Sequence, residues 1–416
     1  MTLTILTPAA QAQTFTVLHC FTGGADGANP AAGLTIDHSG TLYGTAEQGG
    51  NTPSNCGTTR GCGTVFRVQY RGSGWILTPI YKFSGTDGLS PLGRLTFGPD
   101  GSLYGTTYAG QGDDCSCGNV FNLRPSATAP RTSLQPWVET VIHQFSPMEN
   151  EGVGPMGDLI FDPAGNLYGT TITGGTYNQC SGGIGCGTVY ELTPSAQGWT
   201  ETLVYALTEA DFYPVSGVIR DRSGNLYGTA VEGNFNNGAV FQLSPSGPGW
   251  IENTLYSFSG SSNGESPYAG LIFDQVGNLY GATLQGGSGG GGTVFQLTPS
   301  GSSWTQSTLY SFPGTAGSGP YATLLMDSGG NLYGTTKGAG AYGKGSVFKL
   351  TPHNGAWTLS TLHDFTGGAD GATPESSLVM DATGNLYGTT YAGGSTGSHC
   401  DSSTNYECGV VFEITP

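Results

Sequence analysis

Seven times along this chain a tyrosine stands in the same short phrase, Leu-Tyr-Gly-Thr or Leu-Tyr-Gly-Ala, at Tyr43, Tyr104, Tyr168, Tyr227, Tyr280, Tyr333 and Tyr387. A period of about 50 to 65 residues kept to the end of a chain is the mark of a repeat architecture, in which each period is one supersecondary unit that buries its apolar face only against its neighbours. Each period carries the same ordered parts. In the fifth these are Ala-Gly-Leu-Ile-Phe-Asp (269–274), Asn-Leu-Tyr-Gly-Ala-Thr (278–283), Gly-Thr-Val-Phe-Gln-Leu (292–297) and the stretch from Trp304 to Phe312. Short β-branched and aromatic runs bounded by Gly, Asn, Asp and Pro, with no sustained helical period, predict four strands per unit, the content of a propeller blade. The first two strands are joined by Asp-x-x-Gly-Asn at Asp162, Asp221, Asp274, Asp327 and Asp381, with Asp37 and Gly40 in the first copy and Gly98 and Asp100 in a divergent second. Asp bonds its own downstream backbone there and Gly supplies positive φ, so the turn is tight.

The two ends of the chain complete one another. The C-terminal run Val410 to Ile414 matches a third strand, and the N-terminal run Phe15 to Phe21 matches a fourth. Joining them closes a ring and removes both sheet edges. The expectation is an all-β fold, a single seven-bladed β-propeller of four-stranded blades over residues 13–416, its N-terminal strand completing the last blade, acting as a monomer. Residues 1–12 end in Ala-Gln-Ala and resemble the cleavage end of a truncated secretory signal segment. Six tryptophans, Trp75, Trp137, Trp199, Trp250, Trp304 and Trp357, recur eight positions before the end of the fourth strand and read as one packing slot per blade. His19, His143 and His363 fill a position held by tyrosine in other copies and read as structural.

Charged residues make up only 10% of the chain and the net charge is −17, which opposes contact with phosphates and anionic lipid. No nucleic-acid partner is expected. No apolar run approaches the length of a membrane helix, so membrane insertion is not expected either. Nine cysteines are many for a reducing compartment. Cys62, Cys117, Cys186 and Cys408 each precede the glycine that opens a third strand, and each has an earlier companion in the same connection, Cys56, Cys115, Cys180 and Cys400. Local pairs of this kind predict disulfide staples and an exported protein, with Cys20 left over. The stapled connections are long: from second-strand leucine to third-strand aromatic they span 24, 18, 23 and 26 residues in blades one, two, three and seven, against 15, 16 and 16 in blades four to six.

In a closed ring blades seven, one, two and three are neighbours, so the stapled loops crowd one arc. The loops between blades emerge on the same face, carrying Asp26-Gly27, Asp87-Gly88 and Asp370-Gly371, each followed by a proline. Their carboxylates are too few to cage calcium and read as turn stabilisers; no metal and no cofactor is expected. After the prolines the inner strands begin with small residues, as at Ala32-Gly33 and Ala322-Thr323, because seven strands converge on the axis. Arg94, Asp158 and Glu375 depart from that pattern, and Tyr268 and Tyr321 offer aromatic faces at the same rim. These five are the candidate ligand-binding residues at the mouth of the central channel. No nucleophile elbow, zinc-protease helix or phosphate loop is present, so no catalytic residue is assigned.

The unit Gly-Asn-Leu-Tyr-Gly-Thr-Thr, Gly-Gly, Gly-Thr-Val-Tyr-Glu-Leu-Thr-Pro, as at Gly165 to Thr171, Gly174-Gly175 and Gly187 to Pro194, resembles the Gloeo/Verruco tandem repeat of bacterial surface and secreted proteins. That resemblance implies export, often with a C-terminal sorting anchor of which the ending Thr415-Pro416 has no trace, and it implies no activity. Three classes of function follow: an exported module binding an extracellular glycan or protein through its stapled loop face, a polysaccharide hydrolase or lyase using Asp158 and Glu375, and a structural or adhesive envelope component.

Overall fold

The computed structural model describes residues 13–50, 56, 60–110, 117–126, 136–146, 151–176, 180, 183, 185–208, 211–233, 237–314, 317–394 and 408–415; the segment 1–12 lies outside them. Seven four-stranded antiparallel sheets form the seven blades of a propeller. Blade one is Thr35–Ile36, Leu42–Ala46, Thr64–Arg71 and Gly74–Lys82, from the axis outwards. Blade seven is Val379–Met380, Leu386–Thr390, Val410–Thr415 and, as its outer strand, the N-terminal Thr14–Cys20. Thr14 opposes Thr415 and Cys20 opposes Val410, so the two ends of the chain close the ring as expected.

The core lies between blades, not within them. Each of seven buried clusters joins one blade to the next; for example Tyr43, Val65 and Phe83 pack with Leu95, Leu103 and Phe121 of blade two, and the cluster of Leu34, Leu42 and Phe66 includes Val379 and Tyr387 of blade seven. The tryptophan slot is part of this contact. The Trp75 ring meets Tyr387 of blade seven at 5.7 Å, Trp137 meets Tyr43, Trp199 meets Tyr104, Trp304 meets Tyr227 and Trp357 meets Tyr280, all edge to face. Blade seven has no tryptophan, and the Tyr333 ring on the blade before it is covered by the Lys349 ammonium at 5.3 Å instead.

The same tyrosines tie the turns. In the fifth blade the amides of Val276 and Asn278 donate to Asp274 Oδ1, while the Asn278 side chain and the Tyr280 hydroxyl donate to Asp274 Oδ2. Equivalent bonds recur at Asp221, Asp327 and Asp381. His19 and His363 meet Asp26 and Asp370 at 3.0 and 3.1 Å, and the Tyr81 hydroxyl donates to Asp87. These loop carboxylates also accept backbone amides of Thr22, Thr366 and Ser84, so they stabilise turns.

The innermost strands are shorter than the sequence suggests. The run 269–274 shrinks to a two-residue strand, Ile272–Phe273. Near the axis the chain turns its bonds sideways instead: the Gly270 amide donates to Thr323 Oγ1 of the next blade, and the Arg94 amide to Asp158 Oδ1. Cys56–Cys62 and Cys180–Cys186 are disulfides with Cα atoms 5.1 Å apart. Cys117 and Cys408 are also disulfide-bonded; Cys115 and Cys400 lie outside the described residues. Cys20 is a free thiol, half-buried in the closing strand.

Candidate functional site

Every interblade loop approaches the axis through a residue followed by proline, and in five blades that residue is a non-glycine with positive φ: Asn29, Ser90, Tyr213, Ser266 and Thr373, at 54 to 61°. A left-handed conformation costs an ordinary residue about 1 kcal/mol or more, so it persists only where neighbours hold it. Two hydrogen bonds do so. The amides of Asn29, Ser90, Gly154 and Tyr213 donate to the carbonyls of Cys408, Cys62, Cys117 and Cys186 on the preceding blade, and those of Ser266 and Thr373 donate to Asn237 and Lys344. In the other direction the carbonyls of Asn29, Gly319 and Thr373 accept the amides of Glu47, Lys337 and Tyr391, the residues that follow the second strands. The glycine opening the third strand makes room for this: a Cβ on Gly63 would stand 2.5 Å from Pro91 Cδ.

This arrangement delivers two rings of side chains to one cavity of about 430 Å³ at the channel mouth, to which all seven blades contribute. The residues after the prolines are Ala31, Leu92, Met156, Val215, Tyr268, Tyr321 and Glu375, and the residues after the second strands add Glu47, Lys337 and Tyr391. Four of the five candidates, Asp158, Tyr268, Tyr321 and Glu375, line it. Arg94 does not. It lines a second cavity of about 310 Å³ with Leu34, Ile36, Phe97 and Val379. Its Nε still reaches Asp158 Oδ2 at 3.1 Å, so the pair joins the two cavities.

Glu47, Lys337 and Tyr391 escaped the sequence reading because they occupy a variable position. Its equivalents in other blades are Tyr108, Ile172, Val231 and Leu284, and a charged residue among aliphatics was the available signal. The Lys337 ammonium lies 2.8 Å from Glu375 Oε1 and 5.0 Å from the centre of the Tyr321 ring. Tyr321 and Tyr268 stack at 5.0 Å with planes 23° apart. Burial raises the Glu47 carboxyl above its ordinary value against a hydrogen bond from Tyr391, and Glu375 adds to the rise. Burial and the Glu47 charge hold the Tyr391 hydroxyl in its neutral form.

The mouth is therefore two-sided. Blades two, three and four present Leu92, Met156 and Val215, with the Asp158 carboxylate of blade three held by Arg94; blades five, six, seven and one present Tyr268, Tyr321, Lys337, Glu375, Tyr391 and Glu47. The cysteine carbonyls support the loops of Ala31, Leu92, Met156 and Val215. The staples thus brace the apolar side, whereas the polar groups are divided: Glu375, Tyr391, Glu47 and Asp158 stand on blades within the arc that loop length singles out, and Tyr268, Tyr321 and Lys337 on blades five and six outside it. Among the described residues no group of three or more His, Cys, Asp or Glu side chains is placed to hold a metal ion.

Several solved structures are similar to the chain at low identity. A putative oxidoreductase (glucose dehydrogenase) of Thermus thermophilus is 17% identical over 78% of this chain and 96% of its own, with a TM-score of 0.46. PorZ, a surface component of the type-IX secretion system of Porphyromonas gingivalis, is 15% identical over 90% of this chain but only 48% of its own, with a TM-score of 0.50. A putative 6-phosphogluconolactonase of Bacteroides uniformis is 15% identical over 80% and 84%, with a TM-score of 0.46. No curated protein matches in sequence. The model of the Gloeobacter/Verrucomicrobia repeat matches residues 2–184, 130–272 and 180–400, and the chain belongs to that repeat family.

Proposed function

We propose that this protein is an exported binding module that takes an extracellular glycan into the channel mouth. The observation that carries the reading is the wall of the 430 Å³ cavity, where the stacked Tyr268 and Tyr321 rings stand beside Lys337, Glu375, Glu47 and Tyr391. An aromatic face for sugar C–H bonds next to a few hydrogen-bonding groups, in a preformed pocket of this size, is the usual composition of a small-ligand site. Disulfides support export, since they persist in oxidising compartments. Among the similar structures PorZ is named as a surface component, and its likeness here is one of fold.

Binding is favoured over hydrolysis by the ion pairs. Asp158 and Glu375, the carboxylates that a polysaccharide hydrolase or lyase would use, are each held by a cation, Arg94 at 3.1 Å and Lys337 at 2.8 Å. Each pair takes up an oxygen that a reacting carboxylate would have to turn towards the substrate. The test is a glycan-array screen of the oxidised protein with a product assay on the same sugars. Saturable binding without cleavage, weakened about tenfold or more by Tyr268→Ala, is expected. Cleavage would move the reading to the enzyme, and absence of binding would move it to a protein partner.

A further inference from the structure

The cavity at the channel mouth has polar walls but little charge left to offer a ligand. Lys337 and Glu375 satisfy one another at 2.8 Å, and Arg94 and Asp158 do so at 3.1 Å. Glu47 is shared with the Tyr391 hydroxyl and is shifted towards its neutral form by burial. Tyr321 is already packed by Tyr268 and by the Lys337 ammonium, so the half-buried Tyr268 is the ring with surface still to give. Opposite these groups stand Leu92, Met156 and Val215, all half-buried and none in the blade cores. An ionic ligand would have to break an existing pair, at the cost of leaving a charge uncompensated. A ligand of hydroxyl groups alone would leave the apolar wall facing water.

From this two-sided, internally neutralised mouth we infer that the ligand is a neutral sugar bearing a small apolar substituent, an N-acetylhexosamine. Its hydroxyls meet Glu47, Tyr391 and Glu375, its C–H face lies on Tyr268, and its acetamido methyl fills the Leu92, Met156 and Val215 side. The inference rests on the mouth being the glycan site, and it adds which class of glycan.

Calorimetric titration of the oxidised protein with the tetramers of N-acetylglucosamine, glucose and glucosamine tests it. The N-acetylated tetramer is expected to bind about tenfold or more tightly than either of the others, the range in which one well-placed small group discriminates. Met156→Ser combined with Val215→Ser should bring the N-acetylated sugar down to the level of the glucose tetramer at unchanged melting temperature, while Tyr268→Ala should weaken both. Equal affinity for the glucose and N-acetylglucosamine tetramers would overturn the inference and leave the mouth a glycan site. Preference for the glucosamine tetramer would overturn it in favour of a cation-seeking site. A wild-type preference untouched by the double serine variant would overturn the placement of the methyl group. If none of the three binds, the glycan reading falls with it.

Discussion

A methyl group on Gly281 would stand 2.5 Å from Phe295 Cζ on the adjoining strand and 3.0 Å from Leu271. The tip of the third-strand aromatic ring meets the second-strand glycine at this point in every blade, as Phe66 does at Gly44 and Tyr190 at Gly169. Gly281→Ala should therefore destabilise the fold by about 1 to 3 kcal/mol through overpacking, read as a fall in the denaturation midpoint with no change in ligand binding; an unchanged midpoint would refute the packing account. The glycine of the repeated phrase was visible in the sequence, but its reason was not, because the aromatic that forbids a side chain lies about 14 residues further on. The same limit applied to Glu47 and Lys337. Residues that repeat announce the scaffold, whereas residues that line the mouth vary from copy to copy and have no internal pattern to betray them.

The element that organises the mouth is the connection between blades, hung by one amide on the preceding blade and by one carbonyl on its own. In four places the acceptor on the preceding blade belongs to a disulfide-bonded cysteine, as where Ser90 donates to Cys62 at 3.0 Å. A disulfide closing so short a loop as Cys56 to Cys62, six residues apart, is worth about 2 kcal/mol in the chain-entropy account. Replacing both cysteines by serine should lower stability by about that amount. It should also raise amide exchange at Ser90 and Leu92 above that of the unstapled equivalents Ser266 and Tyr268. Exchange raised equally in every blade would mean that the staple supports the ring in general and not its own loop. Cysteine spacing points to the pairs Cys56–Cys62 and Cys180–Cys186 and to the face they occupy. That they brace the apolar half of the mouth was hidden, because it depends on which backbone group of the next blade reaches the cysteine carbonyl.

Across the whole ring, stability depends on seven interblade contacts of similar construction, and two of them bury acids where the interblade loop meets the outer strand of the blade it enters. Glu139 is pushed up to about 7 by burial and by the charge of Asp87. Asp211, almost inaccessible and accepting a hydrogen bond from Thr254, is raised to about 7 by burial and by Glu252. An acid whose folded value exceeds its unfolded one binds its proton more tightly in the folded state. Its contribution is thus complete below about pH 4 and is lost as the pH climbs through 7. His143 works the other way: burial draws it down to about 4, so it favours the folded state above its ordinary value and loses that contribution as the pH falls. The turn carboxylates Asp26, Asp274, Asp327, Asp370 and Asp381 are held low by hydrogen bonds from side chains and backbone that outweigh their burial, and they withdraw stability only below about pH 4. Glu139 and Asp211, joined by the raised Glu47, outweigh the one lowered histidine and leave a net fall in stability from about pH 5 to pH 8. The melting temperature should accordingly be higher at pH 5 than at pH 8, and Glu139→Gln should raise it at pH 8 and narrow the gap. A melting temperature that climbs between pH 5 and pH 8, or a gap that Glu139→Gln leaves intact, would show that the buried interblade acids do not govern the ring's response to pH.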